Sequence, residues 1–124
     1  MAIDKMGQAE KMSVRAALTA TGKTQATAFP LVANTSHEFT NVPEGSGARL
    51  PVGILPCEVY IQNSGDNILT IYPPSGGTVN YGEANDFFQL TVGSWADFRA
   101  SSPTKWYQKE PPEKSAPVFP KSLP

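Results

Sequence analysis

The reading of the chain turns on residues 50–72, Leu-Pro-Val-Gly-Ile-Leu-Pro-Cys-Glu-Val-Tyr-Ile-Gln-Asn-Ser-Gly-Asp-Asn-Ile-Leu-Thr-Ile-Tyr. Cys57, Val59 and Ile61 alternate with Glu58, Tyr60 and Gln62. A period of two sends successive side chains to opposite faces of a strand, so the first set is expected inside and the second outside. Leu69 and Ile71 alternate in the same way with Ile68, Thr70 and Tyr72. Between the two runs lies Asn63-Ser64-Gly65-Asp66-Asn67, a cluster of turn formers in which Gly65 can adopt unusual dihedrals. Two alternating runs around a short glycine-containing turn predict a β-hairpin at the centre of one small β domain.

Similar signals recur on both sides. Residues 13–21 alternate, with Val14, Ala16 and Leu18 against Arg15, Ala17 and Thr19. Residues 25–32 form a second candidate strand, which Pro30 confines to a sheet edge because proline cannot donate to a ladder. Residues 37–42 read as a short polar strand around Phe39, residues 78–81 as a brief strand, and residues 87–92, 95–100 and 105–108 as three more. Turn signals separate them, among them Pro43-Glu44-Gly45-Ser46-Gly47 and Pro73-Pro74-Ser75-Gly76-Gly77. Strands recurring about every 8–12 residues predict an all-β fold, a small antiparallel β-sandwich or jelly-roll-like barrel. Extended N- and C-terminal arms complete this picture. Residues 1–12 are polar, lack strand alternation and read as an arm that is either disordered or ordered by a partner. Residues 13–108 are the β domain. Residues 109–124 carry five prolines among Val118, Phe119 and Leu123, and predict a polyproline-like arm able to reach about 50 Å.

Composition narrows the function. A chain of 124 residues suits one domain. Its 12 prolines and 10 glycines disfavour long helices. A formal charge of −1 gives no general attraction to nucleic acid or anionic lipid, and Lys105, Lys109, Lys114 and Lys121 are interrupted by acids, so no nucleic-acid patch is expected. No apolar run is long enough for a membrane helix, and the first residues lack the apolar region of an export signal. The single cysteine, Cys57, cannot form an internal disulfide and reads as a small buried residue.

The search for catalytic chemistry is negative. The only histidine, His37, stands between Ser36 and Glu38 and reads as a surface residue. With one Cys and one His there is no zinc-site spacing, so no metal and no cofactor is expected. A Cys57–His37 nucleophile pair is disfavoured because Cys57 begins an inward-facing pattern. Glu83 and Asp86, like Asp66, sit in turns where solvation explains them. Gly45-Ser46-Gly47 lacks the lysine of a phosphate loop. Aromatic residues are the remaining candidates. Those on faces opposite the inferred core, Tyr60, Tyr72, Phe87 and Trp95, are expected to bury area between copies of the domain. Asn80, Tyr81 and Asp86 would form part of a glycan site in an adhesion module.

An ordered succession of short pieces carries a family resemblance. These are Thr24-Gln25-Ala26-Thr27-Ala28; Gly47-Ala48-Arg49-Leu50-Pro51; the strand ending in Asn63; Asn67-Ile68-Leu69-Thr70-Ile71-Tyr72-Pro73; Ser75-Gly76-Gly77-Thr78-Val79-Asn80; Ala84-Asn85; and Trp106. In order and spacing, residues 22–106 resemble a β domain of tailed-bacteriophage virion proteins, found among capsid decoration (cement) proteins and head or tail fibre proteins. The resemblance implies a non-enzymatic structural module, made in the host cytoplasm and located on the virion. Its implied partners are the major capsid protein and further copies of itself, with a homotrimer expected ahead of a homodimer. Ile3, Met6, Val118, Phe119 and Leu123 would then be the capsid-gripping residues of the arms. A head or tail fibre, a carbohydrate-binding adhesion module and a tail or neck component are the alternatives within the same resemblance.

Overall fold

Strands form where the alternating runs lie, but they pair differently from the sequence expectation. The computed structural model describes residues 13–109 and has ten strands among them: β1 (Ser13–Thr19), β2 (Phe29–Pro30), β3 (Thr35–Asn41), β4 (Gly47–Arg49), β5 (Glu58–Asn63), β6 (Leu69–Tyr72), β7 (Thr78–Val79), β8 (Phe88–Leu90), β9 (Trp95–Ser102) and β10 (Lys105–Gln108). A six-stranded sheet has the order β1-β3-β5-β9-β10-β7 and a four-stranded sheet the order β2-β4-β6-β8. The chain is all-β, with no helix among the described residues.

The first six strands alternate between the sheets. Within one sheet β1 pairs with β3 and β3 with β5, all in parallel. Within the other β2 pairs with β4 and β4 with β6, again in parallel. A chain that steps from sheet to sheet and lays each strand beside the one two before it follows the path of a β-solenoid coil. The antiparallel sandwich or jelly roll is therefore corrected. Between strands, antiparallel pairing occurs at β5–β9, β9–β10 and β6–β8, and an isolated antiparallel bridge joins Thr21 to Gly47.

The central hairpin is corrected with it. β5 and β6 belong to different sheets and do not pair. The physical reason lies inside. Val59 and Ile61 of β5 and Leu69 and Ile71 of β6 are all fully buried in one core cluster with Phe39, Leu50, Leu90, Phe98 and Trp106. Facing one another across two sheets, these side chains are removed from water on all sides, whereas a lone hairpin would cover one face only. The alternation within each run holds: Cys57, Val59 and Ile61 are buried as expected, while Glu58, Tyr60 and Gln62 point outward.

Two further expectations change. Residues 24–28 are mostly turn, and β2 is only the pair Phe29–Pro30, at the edge of its sheet. In β1 the register shifts between Arg15 and Leu18, where Ala17 has φ of 58°. Arg15 pairs with His37 and Leu18 with Phe39, and the bulge breaks the simple alternation of Val14, Ala16 and Leu18; of β1 only Leu18 is half-buried against the core, while Val14, Arg15 and Ala16 are exposed.

Corners of the coil stack as closely as its strands. The Ser64 amide donates to the Phe39 carbonyl at 2.8 Å, and Asn67 Nδ2 donates to the Val42 carbonyl at 2.8 Å. Gly65 packs so tightly on this turn that a Cβ there would lie 2.6 Å from a Val42 methyl carbon. Asn63, fully buried, closes the corner from inside. Its Nδ2 donates to the carbonyls of Asn67 (2.9 Å) and Leu90 (3.0 Å), and its Oδ1 accepts from the Gly65 amide (3.0 Å). On the opposite side Asn34 joins two rungs: its amide donates to the Glu58 carbonyl at 2.7 Å and its Oδ1 accepts from the Glu58 amide at 3.0 Å.

Replacing Asn63 by Leu strands three buried backbone groups, each worth about 1–3 kcal/mol when left unpaired. Urea unfolding of this variant is expected to show a loss of at least about 3 kcal/mol, whereas Gln62→Leu on the outer face of the same strand stays within about 0.5 kcal/mol of the parent.

Candidate functional site

The outward faces of the two sheets carry the features that the core does not use. On the six-stranded sheet Tyr60 and Trp95 stack with ring centroids 5.6 Å apart and planes 27° apart. The β5–β9 register sets Trp95 opposite Gln62 and Asp97 opposite Tyr60, so the rings meet diagonally across the strand pair. Trp95 remains 40% exposed. On the four-stranded sheet Tyr72 and Phe87 meet edge to face at 6.0 Å, and Phe87 is 55% exposed. The four residues expected to form one subunit contact thus fall into two pairs on different sheets. A third pair, Tyr81 and Tyr107, lies at 4.6 Å beside Asn80, whose Oδ1 accepts from the Gln108 amide. Asp86 is exposed.

A strip of charge runs beside Tyr60. Glu58 Oε2 lies 3.4 Å from Arg99 Nη2 and 3.6 Å from Lys109 Nζ, and Lys109 Nζ lies 3.8 Å from Asp97 Oδ2. Such exposed pairs stabilise by about 0–1 kcal/mol each and mainly fix local geometry. Asp97 Oδ1 is buried with no hydrogen-bond partner among the described residues. Burial, and then the Glu58 charge, push the Asp97 carboxyl above its ordinary pKa. Burial also raises that of the Tyr60 hydroxyl, with the Asp97 charge adding to it.

The sequence reading overlooked one feature. Between Pro51 and Pro56 the chain makes no strand, and it leaves Val52 63%, Ile54 84% and Leu55 48% exposed. The Gly53 amide donates to the Pro103 carbonyl at 2.8 Å, which pins the loop to the body while its apolar side chains face solvent. Beside it opens a groove of about 520 Å³ lined by Pro30, Leu31, Arg49, Pro51, Val52 and Pro74. An apolar run with no period of two, held between prolines, is the sequence signal for such a loop.

His37 is corrected from surface to core. It is fully buried. Its Nε2 accepts from the Val32 amide at 3.1 Å, and its Nδ1 lies 3.3 Å from the Tyr60 carbonyl. An amide can only donate, so Nε2 is unprotonated and Nδ1 carries the hydrogen. Burial, supported by the charge of Arg15, lowers its pKa. Cys57 is buried with its thiol pKa raised, again first by burial. Among the described residues no three His, Cys, Asp or Glu side chains cluster as metal ligands, and no helix is long and apolar enough to cross a membrane. Ile3, Met6, Val118, Phe119 and Leu123 lie outside the described residues.

No family model matches the chain, and no curated protein matches it significantly.

The histidine gives a signed pH dependence. A base with a depressed folded pKa stabilises in its neutral form, so this contribution is complete above the unfolded value of about 6.5 and is lost as pH falls below it. Asp97 acts in the opposite sense, since its raised pKa favours protonation of the folded form in acid. Chemical denaturation at a series of pH values is expected to show stability falling from about pH 6.5 downward, and His37→Gln to flatten that fall.

Proposed function

We propose that the protein is a non-enzymatic structural virion protein, a capsid decoration (cement) protein that oligomerises on the phage head and stabilises the major capsid shell. The observation that carries this reading is the exposed apolar loop on a domain whose core is already complete. Val52, Ile54 and Leu55 contribute nothing to the core cluster and lie in open solvent. Apolar side chains grouped on one exposed loop mark a docking surface. The family resemblance supports the same reading, because its pieces have structural work in the coil. Gln25 Nε2 donates to the Pro73 carbonyl and to Asn85 Oδ1, Arg49 Nη1 donates to the carbonyls of Gln25 and Ala26, and Asn85 Oδ1 accepts from the Gly76 amide.

The distribution of aromatics suits an assembly in which each copy presents one face to the next. A two-fold contact uses the same patch twice, whereas a closed ring uses two different patches. Tyr72–Phe87 on one sheet and the 52–55 loop are two such patches, in keeping with a homotrimer on the shell. The arms, through Ile3, Met6, Val118, Phe119 and Leu123, add the capsid contacts. A second reading, a head or tail fibre or adhesion module that binds carbohydrate, draws on the Tyr81–Tyr107 pair, since Tyr81 is almost wholly exposed.

Co-sedimentation with empty phage capsids lacking the protein, beside light scattering of the free chain, tests the proposal. Saturation at a fixed copy ratio is expected, and Ile54→Asp, which leaves the core intact, is expected to weaken it by about tenfold or more. Absence of binding, with glycans retained on an array, would replace this reading with the adhesion module.

A further inference from the structure

The six-stranded sheet carries an aromatic platform at the point where the described chain ends. β10 runs antiparallel to β9 with Tyr107 opposite Arg99 and Gln108 opposite Phe98. The next rung is made by Lys109, whose amide donates to the Asp97 carbonyl at 2.6 Å. Extended in this register, the ladder would set residue 111 opposite Trp95. Alternate antiparallel pairs exchange both backbone bonds, so after the pair of Lys109 with Asp97 the next such pair is residue 111 with Trp95. Residue 111 is proline, followed by Pro112. Proline has no amide hydrogen, so a ladder extended in this register would end beside Trp95.

We infer that the Tyr60–Trp95 pair is the docking platform for this chain's own Pro-rich segment, residues 111–117. Polyproline segments bind on aromatic surfaces through their preformed, hydrogen-bond-free helix. Tyr60 and Trp95 stack into one apolar surface reaching from β9 to β5, and Trp95 is open to solvent. Lys109 sets the direction of departure: held by the carboxylates of Glu58 and Asp97, it holds the exit point against the β5–β9 face.

Distance along the segment agrees with charge. Glu38 on β3 pairs with Gln62, which pairs with Trp95, so the three lie in one row across the sheet. A chain leaving β10 at residue 111 crosses three strand spacings, about 14 Å, to reach Glu38, and a polyproline helix advances about 3.1 Å per residue. Lys114, three residues past Pro111, would lie about 9 Å along this path, and its four-carbon stem would carry the ammonium on to the Glu38 carboxylate. At the same rise the segment would clear β1, the sheet's edge strand, about three residues later. Val118, Phe119 and Leu123 then lie beyond the domain and are free to reach a neighbour. The pair expected to touch another copy instead seats the arm on its own domain. This docking does not depend on the virion reading, and it is measured on the free protein.

The test uses the full chain. Nuclear Overhauser contacts are measured between the Trp95 indole and the proline ring protons of Pro111 and Pro112, first in uniformly labelled protein and then in a mixture of labelled and unlabelled copies. Tryptic cleavage after Lys114 is timed against cleavage after Lys121 in the same sample. Contacts within one chain are expected, with the Lys114 site cut about tenfold more slowly than the Lys121 site, as for a segment that must open locally before cleavage. Trp95→Ser is expected to bring the two rates within about twofold, and Glu38→Gln to remove about half of the protection on a logarithmic scale. Should Trp95→Ser fail to fold, the double substitution Pro111→Gly and Pro112→Gly, outside the strands, serves in its place. Equal cleavage in the parent chain without indole–proline contacts would overturn the inference. So would protection that survives both variants, and contacts seen only between copies would assign the platform to a neighbour's arm instead.

Discussion

Stacking of one coil on the next is the constraint on which the structure depends. In a hairpin or meander the backbone at a turn faces water. In a coil each corner lies against the corner before it, and its amides and carbonyls need partners there. Asparagine side chains provide them: Asn67 donates to the Val42 carbonyl, Asn34 accepts from the Glu58 amide, and Asn63 donates to the Asn67 and Leu90 carbonyls while accepting from the Gly65 amide. Glycine completes the arrangement where no side chain fits. A Cβ at Gly47 would lie 2.7 Å from the Thr70 carbonyl oxygen, and one at Gly77 would lie 2.2 Å from that of Thr104. At these positions Asn and Gly serve close stacking, whereas Gly76 and Gly93 have open space around them.

The core follows from the same path. Each rung sends two short inward sets toward each other, so the interior is a single layer of aliphatic side chains with aromatic residues along its length. Phe29 meets Phe39 edge to face at 5.2 Å, and Phe88 meets Phe98 at 5.6 Å. Trp106 is fully buried and donates its indole hydrogen to the Pro51 carbonyl at 3.0 Å. That bond ties β10 to the base of the loop bearing Val52 and Ile54. A buried anchor and an exposed plug are thus adjacent, and the loop keeps its position without contributing to the core. His37 is a core residue of the same kind: as a neutral imidazole it bridges the Val32 amide and the Tyr60 carbonyl, and so joins the interior to the strand that bears the platform.

The proposed function draws on what the coil leaves outside. The outer faces hold separate aromatic pairs, a charged strip and an apolar loop, each on a different part of the domain. Within that arrangement Tyr60–Trp95 differs from Tyr72–Phe87 by its position next to Lys109, where the described chain ends, and the proposed seat for the arm rests on that difference.

Alternation along residues 57–62 and 69–71 was enough by itself to assign inward and outward faces, because the period of a strand depends only on backbone geometry. All-β character, the edge position of Pro30, the burial of Cys57 and the outward direction of Tyr60, Tyr72 and Trp95 were legible for the same reason. Pairing was not. A hairpin and a coil rung share one pattern of side chains, and only the interior they jointly fill decides between them. His37 looked superficial beside Ser36 and Glu38, yet it sits at an inward position of β3, and its two bonds are to residues 5 and 23 positions away. The exposure of the loop at 52–55 was not legible, because exposure is a property of what surrounds a residue. Local periodicity determined which way each side chain points; only the tertiary structure decided what it meets, since partners distant in sequence are chosen by the burial and hydrogen bonding of the whole chain.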